Sequence, residues 1–184
     1  MSTRCNLKVE YTDERDGEKD GPDETFWLYH HHDGYPSYVG RMLRDFALWY
    51  DRNAHQGWWP PSDIVNALVK GAVKPHIYSG GVFGDVRKAP VDDEWEITDS
   101  KHGDIDYLYT ICVTRIDSGI SVGLWCEREY DDRRWLIAKR TADGEWTDSL
   151  DDVIAEDEEE RCRSSASHPS RDRTTPSGSP AWRS

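Results

Sequence analysis

The run Ile105-Asp106-Tyr107-Leu108-Tyr109-Thr110-Ile111-Cys112-Val113, followed by Asp117-Ser118-Gly119 and then Ile120-Ser121-Val122-Gly123-Leu124-Trp125-Cys126, decides the fold class. Apolar residues occupy every second position on both sides of the turn residues. That is the period of a strand with one buried face, and a short Gly-containing turn between two such strands is a hairpin signal.

Outward from this hairpin, two more alternations stand near the N-terminus. Cys5, Leu7, Val9 and Tyr11 are separated by Asn6, Lys8 and Glu10, and Thr25–His31 (TFWLYHH) is rich in aromatics. They read as paired strands joined by the charged loop 12–23 (TDERDGEKDGPD). Val39, Met42, Leu43, Phe46, Ala47 and Tyr50 recur at helical spacing and predict a helix over 37–51. Ile64, Val65, Leu68 and Val69 predict a second helix, with Ser62 as N-cap and Gly71 or Pro75 as its end. Residues 76–104 predict irregular chain with one short strand near 94–98. Trp135–Ala138 predicts a further strand after a turn at Asp131-Asp132, and Leu150, Val153 and Ile154 a short final helix capped by Thr147 or Ser149. The expected architecture is α+β: a mainly antiparallel sheet of about five or six strands, with two main helices on one face.

Charge is unevenly distributed. The net charge of the 184-residue chain is -13, with 36 acidic against 23 basic residues. Residues 151–160 alone carry seven carboxylates, whereas 161–184 hold five Arg and one Asp among Ser and Pro. A compact acidic domain over 1–155 is expected, then a disordered tail over 156–184, first acidic and then Arg/Ser/Pro-rich. An acidic body disfavours direct nucleic-acid binding, which depends on Lys and Arg displacing counterions. It favours encounter with a basic protein surface. Neither a secretory leader nor an apolar run near the ~18 residues of a membrane span is visible, so a cytoplasmic setting is expected. The four cysteines, Cys5, Cys112, Cys126 and Cys162, have neither metal-ribbon nor disulfide-framework spacing.

One motif concentrates polar chemistry: Tyr29-His30-His31-His32-Asp33-Gly34-Tyr35-Pro36, leading into Ser37-Tyr38-Val39-Gly40 and Leu43. Turn chemistry explains much of it. Gly34 tolerates a positive φ, Tyr35 before Pro36 is driven extended, Pro36 suits a first helical turn, and Asp33 is placed to cap free amides. On a continuing strand His30 and His32 share a face. They are weak candidates for a metal pair, or for acid–base chemistry with Asp33, joined by a distant His55, His76 or His102. No cofactor is expected. SGGVFG at 79–84 lacks the Lys-Ser/Thr of a phosphate loop. Trp58 and Trp59 are candidates for an exposed aromatic patch, or for a cap between the helices. Glu156, Asp157, Glu158, Glu159 and Glu160 are candidates for contact with a basic partner, and Trp27, Tyr29 and Tyr107 for a ligand cleft over the sheet.

With Ser2-Thr3-Arg4, this motif resembles a family of small uncharacterised phage and bacterial proteins. Their shared features are a Thr-Arg start to the first strand, a His-x-Asp-Gly-Tyr-Pro strand-to-helix turn and a Val-Gly-x-x-Leu helix start. The resemblance spans roughly the first 45 residues, with a weaker echo in Asp106-Tyr107-Leu108-Tyr109, and implies no established activity. Together with the charge it implies a non-enzymatic acidic interaction protein, a phage-encoded inhibitor of a nucleic-acid-binding or defence protein. The alternative is a small metal-binding or hydrolytic domain centred on His30, His32 and Asp33.

Overall fold

The computed structural model describes residues 3–17, 19–53, 59–73, 87–91, 95–130 and 133–166. Along the chain run β1 (Cys5–Asp13), β2 (Glu24–His30), a π-helical turn (Pro36–Gly40), α1 (Arg41–Asn53) and α2 (Pro61–Lys70). There follow β3 (Ala72–Val73), β4 (Arg87–Lys88), β5 (Glu96–Thr98), β6 (Tyr107–Ile116), β7 (Gly119–Arg128), β8 (Arg133–Arg140), β9 (Trp146–Asp148) and α3 (Leu150–Ala166). Seven strands form one sheet in the order β5-β2-β1-β6-β7-β8-β9, while β3 and β4 pair separately. The α+β class is as expected; the sheet is larger than five or six strands and is mixed. β1 pairs with β2 antiparallel (Cys5↔His30) but with β6 parallel, from Cys5↔Tyr107 to Asp13↔Arg115. Parallel neighbours need a long crossover, and the chain from β2 to β5 provides it.

Register sorts the side chains into two faces. Cys5, Leu7 and Val9 stand beside Tyr107, Tyr109 and Ile111, and those beside Arg128, Cys126 and Leu124. The apolar members of this face are buried in one cluster with Leu43, Phe46, Ala47 and Tyr50 of α1, Ile64, Val65 and Leu68 of α2, and Leu150 and Val153 of α3. On the other face, Lys8 lies over the Trp27 ring at 5.7 Å and Arg134 over Trp125 at 4.5 Å. Gly123 makes room for Trp125 to lie flat: a Cβ there would stand 2.8 Å from Trp125 Nε1. The cations cap the aromatic rings on this face. Trp27 and Tyr29 belong to this face and Tyr107 to the core face, so the expected cleft lined by all three does not form.

Local chemistry sets the helix ends. Pro60 is the N-cap of α2 and Pro61 its first residue, so Ser62 lies inside the helix and is not its cap; Gly71, at φ 58°, ends it. A left-handed residue there suits glycine. For α3 the capping side chain is Asp148, whose Oδ1 accepts from Leu150 N at 3.0 Å, in place of Thr147 or Ser149. The turn expected at Asp131-Asp132, the loop 79–84 and the residues 167–184 lie outside the described residues.

One carboxylate ties α1 to the far edge of the sheet. Asp51 accepts from Trp59 Nε1 (3.3 Å) and Trp146 Nε1 (3.1 Å), and pairs with Arg140 Nε at 2.7 Å. Arg140 in turn donates to Ile120 O at 2.7 Å. Asp51→Ala is expected to destabilise by about 2–4 kcal/mol, because it takes the carboxylate from a buried guanidinium and the acceptor from two indole N–H groups. Asp51→Asn, which keeps an acceptor for an indole, should cost less; urea denaturation of the three proteins checks the order.

Candidate functional site

The His30–Pro36 corner is built at the end of β2. The strand stops at His30, so the alternation that would place His30 and His32 on one face ends there. His30 is buried, its ring 5.0 Å from Trp95, whereas His32 is exposed. His31 stands 4.5 Å edge-on to Tyr29, with Nε2 3.2 Å from Glu96 Oε2; His102 stacks on the same tyrosine at 4.1 Å. No group of three or more His, Cys, Asp or Glu side chains that could hold a metal occurs among the described residues. His55 and His76 lie outside them.

The turn itself departs from expectation in two ways. Asp33, not Gly34, takes the positive φ, at 49°. Asp33 is exposed, and the residue at the N-cap is Tyr35, with φ -69°, ψ 152° and no side-chain cap. Gly34 is required by close approach: a Cβ there would lie 2.9 Å from Arg4 C and 2.9 Å from Cys5 Cβ. Its N–H donates to Thr3 O at 3.0 Å, and its carbonyl accepts from the buried Tyr109 hydroxyl at 2.9 Å. Burial holds the Tyr109 phenol well above its ordinary range, so it remains a donor. Pro36 is buried at the first position of the π-helical turn. The corner therefore clamps β1, β6 and the start of α1 together.

The aromatic and acidic candidates are placed as follows. Trp59 is buried, 4.8 Å from Tyr50, and caps the core; Trp58 lies outside the described residues. The acidic run 156–160 was expected in a tail, yet it lies within α3, which continues past residue 155 to Ala166. The reason is Asp157, which is 1% exposed. Its Oδ1 accepts from the Tyr107 hydroxyl at 2.7 Å and from Arg128 Nη1 at 3.3 Å, and Arg161 Nε lies 3.0 Å from Oδ2. Glu160 also pairs with Arg128 and with Arg133. Glu156 accepts from Arg133 Nη1 at 2.8 Å and from Trp135 Nε1 at 3.0 Å, and these contacts hold its carboxyl below the usual range. Burial, then the bond to Asp157, pushes the Tyr107 phenol up. Three of the five acidic candidates thus bond to the sheet, Asp157 and Glu160 at Arg128 and Glu156 from an exposed position. Glu158 and Glu159 are exposed, as are Asp151 and Asp152 about two turns before them.

The three strand cysteines are poor nucleophiles. Burial, with Glu10 beside it, pushes the Cys112 thiol up to about 11, and burial raises Cys5 and Cys126 as well. No family model, curated protein or solved structure matches the chain.

The inward network around Arg128 is the feature that local sequence reading missed. Arg128 falls on the core-facing phase of the β7 alternation, after Val122, Leu124 and Cys126, and a cation in that phase was the available signal. If the corner is a clamp, Gly34→Ala should lower stability by about 1–3 kcal/mol through forced overpacking. His32→Ala should stay within about 0.5 kcal/mol, as for an exposed position. Thermal unfolding of both variants checks the contrast.

Proposed function

We propose that this protein is a non-catalytic interaction module that engages a basic protein through the outer face of α3. The observation that carries the reading is the division of the acidic run. Asp157 and Glu160 are spent inward on Arg128, which fixes the helix orientation and leaves Asp151, Asp152, Glu158 and Glu159 pointing to solvent. Asp151 to Glu159 spans about 12 Å at 1.5 Å per residue. A row of carboxylates carried on a helix loses less conformational freedom on binding than a disordered acidic segment would.

The β1–β2 loop is the other acidic segment, with six carboxylates against Arg15 and Lys19. Arg15 pairs with Asp13 at 2.6 Å and Lys19 with Asp23 at 2.5 Å. On α3, Glu159 pairs with Arg163 at 2.5 Å and Asp151 lies 4.0 Å from Arg41, while Asp152 and Glu158 make no ion pair among the described residues. The partner class we favour is a nucleic-acid-binding protein of a host or of a defence system, whose cationic groove would accept a carboxylate row in place of phosphates. The resemblance to phage proteins and the overall charge of -13 support that choice.

The test is a low-salt binding panel of basic nucleic-acid-binding proteins, each with its DNA present as competitor. Reversal of the stripe (D152K, E158K and E159K together) should weaken the productive complex at least tenfold, and raising salt should weaken the wild-type complex. Reversal of Asp16 and Asp20 in the loop should have little effect. Equal loss from both reversals, or affinity unchanged by salt, contradicts the reading.

A further inference from the structure

Past Ile154, α3 docks almost wholly through charge. Leu150 and Val153 are buried and Ile154 half-buried, but Ala155 is exposed, and the buried residue in the following turns up to Arg163 is Asp157. The distal half of the helix rests on the sheet through Asp157, Glu160, Glu156 and the Arg161 guanidinium, which lies 4.4 Å over the Tyr35 ring.

What receives these carboxylates is built on the sheet. The Arg128 side chain on β7 is 4% exposed, and its guanidinium lies 4.8 Å from the Tyr130 ring and 5.5 Å from the Trp135 ring. The Tyr107 hydroxyl on β6 and Arg133 on β8 aim at the same carboxylates. An oriented guanidinium fork between aromatic rings, with a phenol donor beside it, is the chemistry that binds a carboxylate.

The hold on α3 is incomplete. Asp157 Oδ2 lies 3.0 Å from Arg161 Nε but outside hydrogen-bonding geometry. Glu156 and Glu160 are four residues apart and Glu156 and Glu159 three apart, spacings at which like charges on a helix repel. The attraction within a buried ion pair is largely offset by the cost of desolvating both charges. Exchange of one carboxylate for another at Arg128 therefore leaves no charge stranded.

We propose that the distal half of α3, from Asp157 onward, is a detachable strap, and that the Arg128–Tyr107 site beneath it binds a carboxylate-bearing peptide segment of a partner, which α3 blocks in cis. Glu158 and Glu159 of the outer stripe ride on this strap, so the carboxylate row is presented while the strap is docked; the measurements below read the inner side alone and need no partner for the stripe.

The test uses the full chain. In hydrogen-exchange mass spectrometry, the wild type should show residues 157–163 exchanging at least tenfold faster than β6 and β7. The variant D157N/E160Q should accelerate 157–163 at least a further tenfold, with β6 and β7 unchanged. A fluorescent peptide copying residues 150–166 should bind this variant saturably at 1:1, at least tenfold more tightly than it binds the wild type. The same peptide carrying D157N and E160Q should not bind. Exchange of 157–163 at the rate of β6 and β7 overturns the strap, and the wild-type measurement decides this even if the variant does not fold. Equal binding of the peptide to both proteins, or to neither, overturns the anion site.

Discussion

The parallel pairing of β1 with β6 is the constraint on which the remaining architecture rests. Two parallel neighbours cannot be joined by a tight turn. The chain first returns along β1 as β2, then leaves the sheet, so the π-helical turn, α1 and α2 form an excursion that comes back through the edge strand β5 before β6 begins. The buried side chains of α1 and α2 share their cluster with one face of the central strands, which leaves the other face to Trp27 and Trp125 under their cations. The corner at Gly34 is where the excursion begins. It sits against Arg4 and Cys5 and is held by Tyr109, so one end of β1, β6 and the crossover are fixed together.

The C-terminal helix closes the same core by different means. Its first two turns use Leu150 and Val153, as an amphipathic helix does, and its later turns use Asp157 and Glu160. Buried charges are tolerable when paired and hydrogen-bonded. Asp157 meets that condition through Tyr107 and Arg128, from two adjacent strands. The acidic run is therefore both anchor and surface. Its inward members orient the helix, and its outward members form the stripe assigned above to a basic partner.

Much of this was legible from residue patterns. The β6–β7 hairpin follows from the alternation on either side of Asp117-Ser118-Gly119, and α1 from its 3.6-residue period. Alternation, however, reports which face a residue takes and not which strand lies beside it, so the parallel register was not legible. Nor was the length of α3. Its apolar period stops at Ile154, and what carries it onward is a contact between Asp157 and Arg128, 29 residues away in the chain. The His-rich corner misled for a related reason. Reading His30 and His32 as one face presumes that the strand continues, and it ends at His30. Gly34 was rightly marked as special, but for its backbone angle when the demand is one of space.

The buried Arg128–Asp157 pair is what anchors the acidic run to the sheet. A double-mutant cycle on these two residues, read by urea denaturation, tests it most directly. Arg128→Met strands the buried Asp157 carboxylate and Asp157→Leu leaves Arg128 with Glu160 alone, so each single change should destabilise, while the double change removes the buried pair. The predicted result is a double variant more stable than either single, with a coupling energy above about 1.5 kcal/mol. Additivity of the two changes to within about 0.5 kcal/mol, the behaviour of independent sites, would contradict it.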